Sequence, residues 1–193
     1  MKQPPMDTMV IATPWKEDKK AFYYNQKITC MNASGYVKVK GRTYTFDSEK
    51  DFGILDWGRG VWTYSNTWYW GIGCGLVDGK PFGYNIGYGF GNTKNASENM
   101  IFYGGKCHKL DLVDFGMPEE NVMDEWTMTS SDNRFNMKFK PFFNDHTNIS
   151  AGVICEKAEK LFGMLNGTAV LDDGTVLNIE NIPVFHEKVH HKW

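Results

Sequence analysis

Asp56 and Arg59 stand three residues apart inside FGILDWGRGVWTYSNTWYWGIGCG, residues 52–75, a stretch holding four of the chain's seven tryptophans. A charge buried among rings needs a partner, because an unpaired one is very costly in apolar surroundings. Two chemistries are open to Asp56. Beside Arg59 it forms a charge-assisted structural pair. Without Arg59, burial raises the carboxyl pKa and makes a proton donor near neutral pH. In an ideal strand residues 56 and 59 face opposite sides. Gly58 and Gly60 permit a bulge that brings both to one side. Glu98 and Asn99, after the loop GNTKNAS, are the second carboxylate and amide of such a site. The alternative for Glu98 is a turn-capping acid.

Other reactive residues point nowhere as specific. His186-Glu187-Lys188-Val189-His190 matches HExxH by letter. That chemistry needs a helix to bring residues four apart onto one face. Here the segment follows Asn181-Ile182-Pro183 and alternates like a strand, where four residues span about 13 Å. The expectation is no metal site, with at most an incidental metal at His190 and His191, and a final strand that closes a barrel with Trp193 as its plug. No serine lies in GxSxG, and His108 follows Cys107 directly, where strand neighbours point apart. Cys30, Cys74, Cys107 and Cys155 are widely spaced without CxxC, which predicts free thiols and a reducing, cytoplasmic setting. The sequons at Asn32, Asn95, Asn148 and Asn166 read as chance.

Composition bounds the partners. The formal net charge is −2, with no basic stripe, which argues against nucleic acid. No apolar run approaches the ~18 residues of a membrane span, and the start MKQPPMDTMVIATPW lacks a signal-peptide core. No cofactor motif is present, because neither glycine-rich run contains GxGxxG or leads into a helix. Hydrophobic residues at 41% support a real core, and 20 glycines against seven prolines suit a turn-rich fold.

The elements that must position these residues are strands. NRFNMKFK and GYVKVKGRTYTF alternate with period two. Strand-like runs cover 21–31, 35–40, 43–47, 52–57, 66–77, 81–91, 98–104, 107–115, 124–130, 133–142, 149–157, 161–171 and 175–189. Segment 154–162 contains good helix formers but is read as strand, turn, strand. The prediction is all-β: one antiparallel barrel or strongly curled sheet over 21–193, which hides its edges. Residues 1–20 form a lead-in, irregular or packed across the barrel.

Large and tiny residues alternate in WGIGCGL (70–76) and FGYNIGYGFG (82–91). Register decides the meaning. A two-residue Asp78-Gly79 turn pairs each glycine with an aromatic residue or Ile, a structural device. A three-residue loop sets glycine against glycine and opens a smooth trough for a ligand. Asp-Gly favours the first. Asn85 is the polar side chain in that glycine row.

The runs LDWGRGVWTYSNTWYWG, GYNIGYGFGNTKNASENMIFYGGKCHKLD, WTMTSSDNRFNMKFKP, FGMLNGTAVLDDGT and HEKVHHKW together resemble the domain-of-unknown-function 2804 family over most of residues 20–193. The resemblance is to the C-terminal part of longer members, and Thr63 stands where the family usually has Pro. A more remote likeness is to lipocalin-like proteins of the carotenoid hydratase and AttH type, which are calycin-like barrels. That likeness implies Asp56 as proton donor, with Trp57, Trp62, Trp68 and Trp70 lining an apolar or cation-stabilising pocket. Arg59, Asn85 and Asn99 complete the candidate ligand-binding set.

Three functions follow as expectations. A barrel binding a small apolar molecule predicts an aromatic pocket with Asp56 paired to Arg59. An acid-catalysed hydratase, cyclase or isomerase on an isoprenoid or lipid-like substrate predicts Asp56 or Glu98 buried there without an Arg contact. A structural module predicts a filled barrel and an exposed apolar patch, over which a second copy or a missing N-terminal half packs.

Overall fold

Period-two alternation along most of the chain resolves into fourteen strands and no helix in the computed structural model, which describes residues 1–193. They are β1 (Met9–Pro14), β2 (Phe22–Asn32), β3 (Gly35–Val39), β4 (Arg42–Phe46), β5 (Phe52–Val61), β6 (Ser65–Val77) and β7 (Lys80–Tyr88). The rest are β8 (Met100–Tyr103), β9 (Lys106–Lys109), β10 (Val113–Asp114), β11 (Trp126–Ser130), β12 (Phe135–Ala151), β13 (Ile154–Val170) and β14 (Val176–Lys192).

Nine of them form one antiparallel sheet, in the order β10-β11-β12-β13-β14-β6-β7-β8-β9, curled through 279°. The two edge strands are consecutive in sequence, so the curl brings them to the ends of one short connection. Arg134 helps to hold that seam. It donates to the Lys109 carbonyl at 2.9 Å and pairs with Asp172 at 2.5 Å.

The inside of the curl is filled. A cluster of 21 buried residues, including Tyr84, Trp126, Phe135, Phe139 and Leu165, occupies it, and none comes from β1–β5. The barrel interior is therefore packed hydrocarbon, not the ligand space that a glycine trough would have opened.

A second, three-stranded sheet, β1-β2-β5, lies on the outer face, with β2 against β6 and β7. β3 and β4 make a separate hairpin with every residue exposed. The outer half of the β12–β13 hairpin is also exposed and carries Phe142, Phe143, Ile149 and Val153. Any dimer or neighbouring segment of the expected kind would find apolar surface there.

The hairpin register is the two-residue one. Asp78 and Gly79 have φ of 49° and 72°, the mirror-image turn whose twist suits the flanking strands. Gly71 pairs with Ile86, Gly73 with Tyr84 and Gly75 with Phe82.

Four sequence expectations need correction. The lead-in contains β1, which pairs with β2 from Met9↔Lys27 to Pro14↔Phe22. The run 107–115 breaks into β9 and β10. The turn expected near 157–161 lies instead at Gly152-Val153. β12 and β13 run unbroken on either side of it, with His146 opposite Glu159 at 2.8 Å. Both faces of that hairpin end are wet, so no apolar alternation marked it. Finally, β14 does not close the barrel. The last strand is the central one, inserted between β13 and β6. No helix is long and apolar enough to cross a membrane.

Candidate functional site

The residues opposite in parity to the core point outward from β6, β7 and β14. Trp68 and Trp70 on β6 stand beside Val189 and Glu187 on β14. On β7 the outward positions near them are small: Gly87 lies opposite Trp70, and Gly83 opposite Cys74. A Cβ at Gly87 would meet Glu98, and one at Gly83 would meet Thr29 and Cys30 of β2. The alternating glycines thus serve two faces. Those of β6 make room for the core, and those of β7 let the second sheet and the 89–99 loop approach.

The second sheet contributes its own row. β2 and β5 pair without a break from Phe22↔Val61 to Ile28↔Leu55, setting Lys27 opposite Asp56 and Asn25 opposite Gly58. Tyr23, Asn25, Lys27 and Asp56 therefore share one face, and it is the face turned toward the large sheet. Gly58 is small because the Tyr23 ring lies over it. No bulge forms at 58–60. Asp56 and Arg59 stay on opposite faces, Arg59 is exposed, and the partner of Asp56 is Lys27.

Between the sheets lies a cavity of 260 Å³. Trp62, Trp68, Trp70, Trp193, Phe90 and Tyr23 form its apolar walls, and Asn25, Lys27, Asp56, Glu98, Glu187 and His191 its polar ones. Phe90 is turned in by a loop with φ of 96° at Gly89 and 80° at Gly91. It packs edge-on against Tyr23 at 5.1 Å and Trp68 at 5.2 Å.

The Lys27 side chain is 5% exposed. Asp56 pairs with its ammonium, and the Trp70 ring lies beneath it at 4.4 Å. Asn85 is fully buried below the cavity wall. It accepts from the Trp70 indole at 2.8 Å and donates to the Glu98 carboxyl at 3.0 Å, so it fixes the angle of one ring and one acid. Burial pushes the Glu98 carboxyl above the usual carboxylate range, against the pull of Lys27 and the Asn85 hydrogen bond. Burial likewise raises Glu187, opposed by the Trp68 indole that donates to it at 2.7 Å. Tyr23 is raised by burial, then by the charges of Asp56 and Glu98.

His191 is 2% exposed, and burial, then the neighbouring His190, lowers its pKa. Asn66 sets its tautomer. The Asn66 carbonyl accepts from the Trp15 indole at 3.0 Å, which leaves its amide to donate to His191 Nε2 at 3.2 Å. In the neutral ring that bond puts the proton on His191 Nδ1, and that atom has no partner. Asn25 Oδ1 is also buried and unpartnered.

Of the residues singled out from sequence, Asp56, Glu98, Trp62, Trp68 and Trp70 meet at the cavity. Trp57 does not. It lies on the solvent side of β5 against Tyr24, at 6.2 Å. Arg59 shares that outer side. Asn85 supports the wall from below, and Asn99 faces a different cleft, held by the Gly87 amide at 2.8 Å. Lys27 and Asn25 had no functional reading in sequence, Glu187 and His191 only those of the HExxH look-alike and an incidental metal, and Trp193 walls this outer cavity and plugs no barrel. The only signal for this cavity was parity: Glu187, Val189 and His191 alternate with the core row. His186 and His190 of the HExxH look-alike lie along β14. His186 is buried in the core and bonded to Tyr84 at 2.9 Å, while His190 is bonded to Thr67 at 2.7 Å.

Residues 1–193 match the domain of unknown function (DUF2804). The chain belongs to the DUF2804 family. The match includes residues 1–20, which the sequence blocks had left out. No curated protein and no solved structure matches the chain, so the lipocalin-like likeness of this DUF2804 member rests on its curled sheet alone.

Proposed function

We propose that this protein binds a small, apolar or lipid-like molecule in the cavity between its two sheets. The observation that carries the reading is the meeting of Trp62, Trp68, Trp70 and Trp193 around a space of 260 Å³, while the barrel interior is filled. Mostly apolar concave sites with a few convergent polar groups are what small-molecule sites look like. The test is extraction of the purified protein and mass spectrometry of what it retains, with Trp68→Ala and Trp193→Ala as comparisons. The wild type is expected to retain a molecule that both variants lose. A wild type that retains nothing and takes up no apolar fluorescent probe would overturn the reading.

One observation favours a second reading, acid-catalysed hydration, cyclisation or isomerisation of an isoprenoid or lipid-like substrate. Glu98 is a buried acid with a raised pKa and makes no ion pair with arginine. The raised pKa is the direction a proton donor needs, and Asp56 lies across the same cavity with Lys27. Glu98→Gln is expected to abolish turnover while still taking up an apolar fluorescent probe. Undiminished turnover in that variant would remove Glu98 from the chemistry. Four free cysteines fit a reducing compartment, the cytoplasm, for either role.

A further inference from the structure

The walls of the cavity hold more acid than base. Asp56, Glu98 and Glu187 face it, and Lys27 is the only ammonium among the lining residues. Lys27 is already committed to Asp56. Burial disfavours a charge on His191. Glu98 and Glu187 form no ion pair of their own. Each accepts one side-chain hydrogen bond, from Asn85 and from Trp68 respectively. Each therefore keeps an oxygen free of a side-chain donor.

A third acceptor independently asks for a donor. Asn25 is 3% exposed, it lines the cavity, and its Oδ1 has no hydrogen-bond partner. A buried acceptor left unmade is costly. Around these acceptors stand indole rings, whose faces attract cations and are indifferent to or repel anions. The protein itself shows the pairing, since the Lys27 ammonium sits over Trp70 at 4.4 Å.

We propose that the molecule bound between the sheets is an organic cation, a protonated amine with apolar substituents, its N–H donors turned to the wall that carries Glu98, Glu187 and Asn25. The inference rests on the reading that this cavity is a ligand site. An anion would meet three carboxyl groups. A ligand without a hydrogen-bond donor would leave the Asn25 acceptor orphaned.

The cation also predicts a sign for pH. Burial holds Glu98 and Glu187 above the usual carboxylate range. The groups facing them are Lys27 and Asp56 from the second sheet, Tyr23 beside these, Lys109 from β9, and Lys160 and His191 from β13 and β14. A bound cation favours the ionised carboxylates, so binding releases protons and tightens as pH rises through the raised carboxyl range.

The experiment is calorimetric titration of the full chain with three probes of one shape class: benzylammonium, benzyl alcohol and benzenesulfonate. Expected is binding of the ammonium at least about tenfold tighter than the alcohol, with the gap wider at about pH 8 than at about pH 5.5. The ammonium stays protonated through this range, so the pH effect belongs to the protein. The Glu98→Gln, Glu187→Gln double variant should lose the preference while still binding benzyl alcohol. The wild-type comparison stands even if that variant does not fold. Alcohol or sulfonate binding as tightly as the ammonium would overturn the cation and leave the ligand site standing. Failure of all three probes to bind would overturn both.

Discussion

Strands β14, β6 and β7 turn two faces to two different environments. Inside the curl, Gly71, Gly73 and Gly75 lie against His186, Tyr84, Val184 and Ile182, and hydrocarbon closes up to crystal-like density. Outside, Trp68, Trp70 and Glu187 look across at Lys27, Asn25 and Asp56, and 260 Å³ stays open. The backbone is shared, so the difference lies in the side chains. Apolar groups interdigitate wherever they fit. Charged groups must keep partners at fixed distances, and indoles held by hydrogen bonds to Asn85 and Glu187 cannot rotate to fill the gap. One face is built for stability, the other holds its groups apart.

The largest effect that would sharpen this contrast is a cavity on the filled side. Phe139 is fully buried, 4.3 Å from the His186 ring and 5.1 Å from Trp126. Phe139→Ala should cost about 3–5 kcal/mol in denaturant unfolding. Trp68→Ala, on a wall that already faces open space, should cost about half of that or less. Equal losses would mean that the outer face is packed as tightly as the inner.

Next in size is a pH effect carried by the core. Burial lowers the His186 pKa to about 3, so the folded protein holds it neutral. The unfolded chain takes up a proton there below its ordinary value of about 6.5. Stability is therefore lost as pH falls below that value, by about 1.4 kcal/mol per unit until the folded group also titrates. The difference between His186→Gln and wild type in unfolding free energy should shrink or reverse toward pH 4.5, at about 2–3 kcal/mol. A constant difference from pH 7 to about pH 4.5 would break the assignment.

The charge pair of the outer face ranks third. Asp56→Asn leaves Lys27 buried without its anion and should cost about 1–2 kcal/mol, moderated by the partial exposure of Asp56. Lys27→Met added to it should recover most of that loss, because the uncompensated charge is gone. Arg59→Ala should change stability by no more than about 0.5 kcal/mol. A large Arg59 effect that vanished in the Asp56→Asn background would restore the pairing that the strand register denies.

Smallest is Glu98→Gln. The folded pKa is raised, so ionisation above the unfolded value of about 4.3 works against folding. The amide variant should gain stability at about pH 8 and gain none at about pH 4, read as a melting-temperature difference. A gain at both would mean that packing, not charge, is what the substitution changes.

Much of the frame was legible residue by residue. Asp78-Gly79 specified its own turn, because few dipeptides accept two positive φ values. His186 to His190 read as strand from their flanks. The blocks from DWGRGVW to HEKVHHKW carried the family. Asp56, Trp62, Trp68, Trp70 and Glu98 stood out because acids among indoles are uncommon. Lys27 did not stand out. In FYYNQKIT the row Tyr23, Asn25, Lys27 is more polar than its alternate, so it reads as the wet face of a strand. In the fold it is the covered one. Arg59 and Trp57 lie on the other side of β5, the uncovered one, for the mirror-image reason.

What the sequence alone determined was therefore local: strand type, the tight turns, the parity of each side chain, and which residues share a row. Parity follows from the two-residue repeat of an extended backbone and needs no partner. Which row meets which was decided only by tertiary structure. The curl of the nine-stranded sheet chose its filled side, the insertion of β14 at the centre placed Glu187 and His191 beside Trp68 and Trp70, and the docking of β2 and β5 brought Lys27 and Asp56 over them. Those choices depend on long-range pairing and on total burial, quantities that no window of the chain contains.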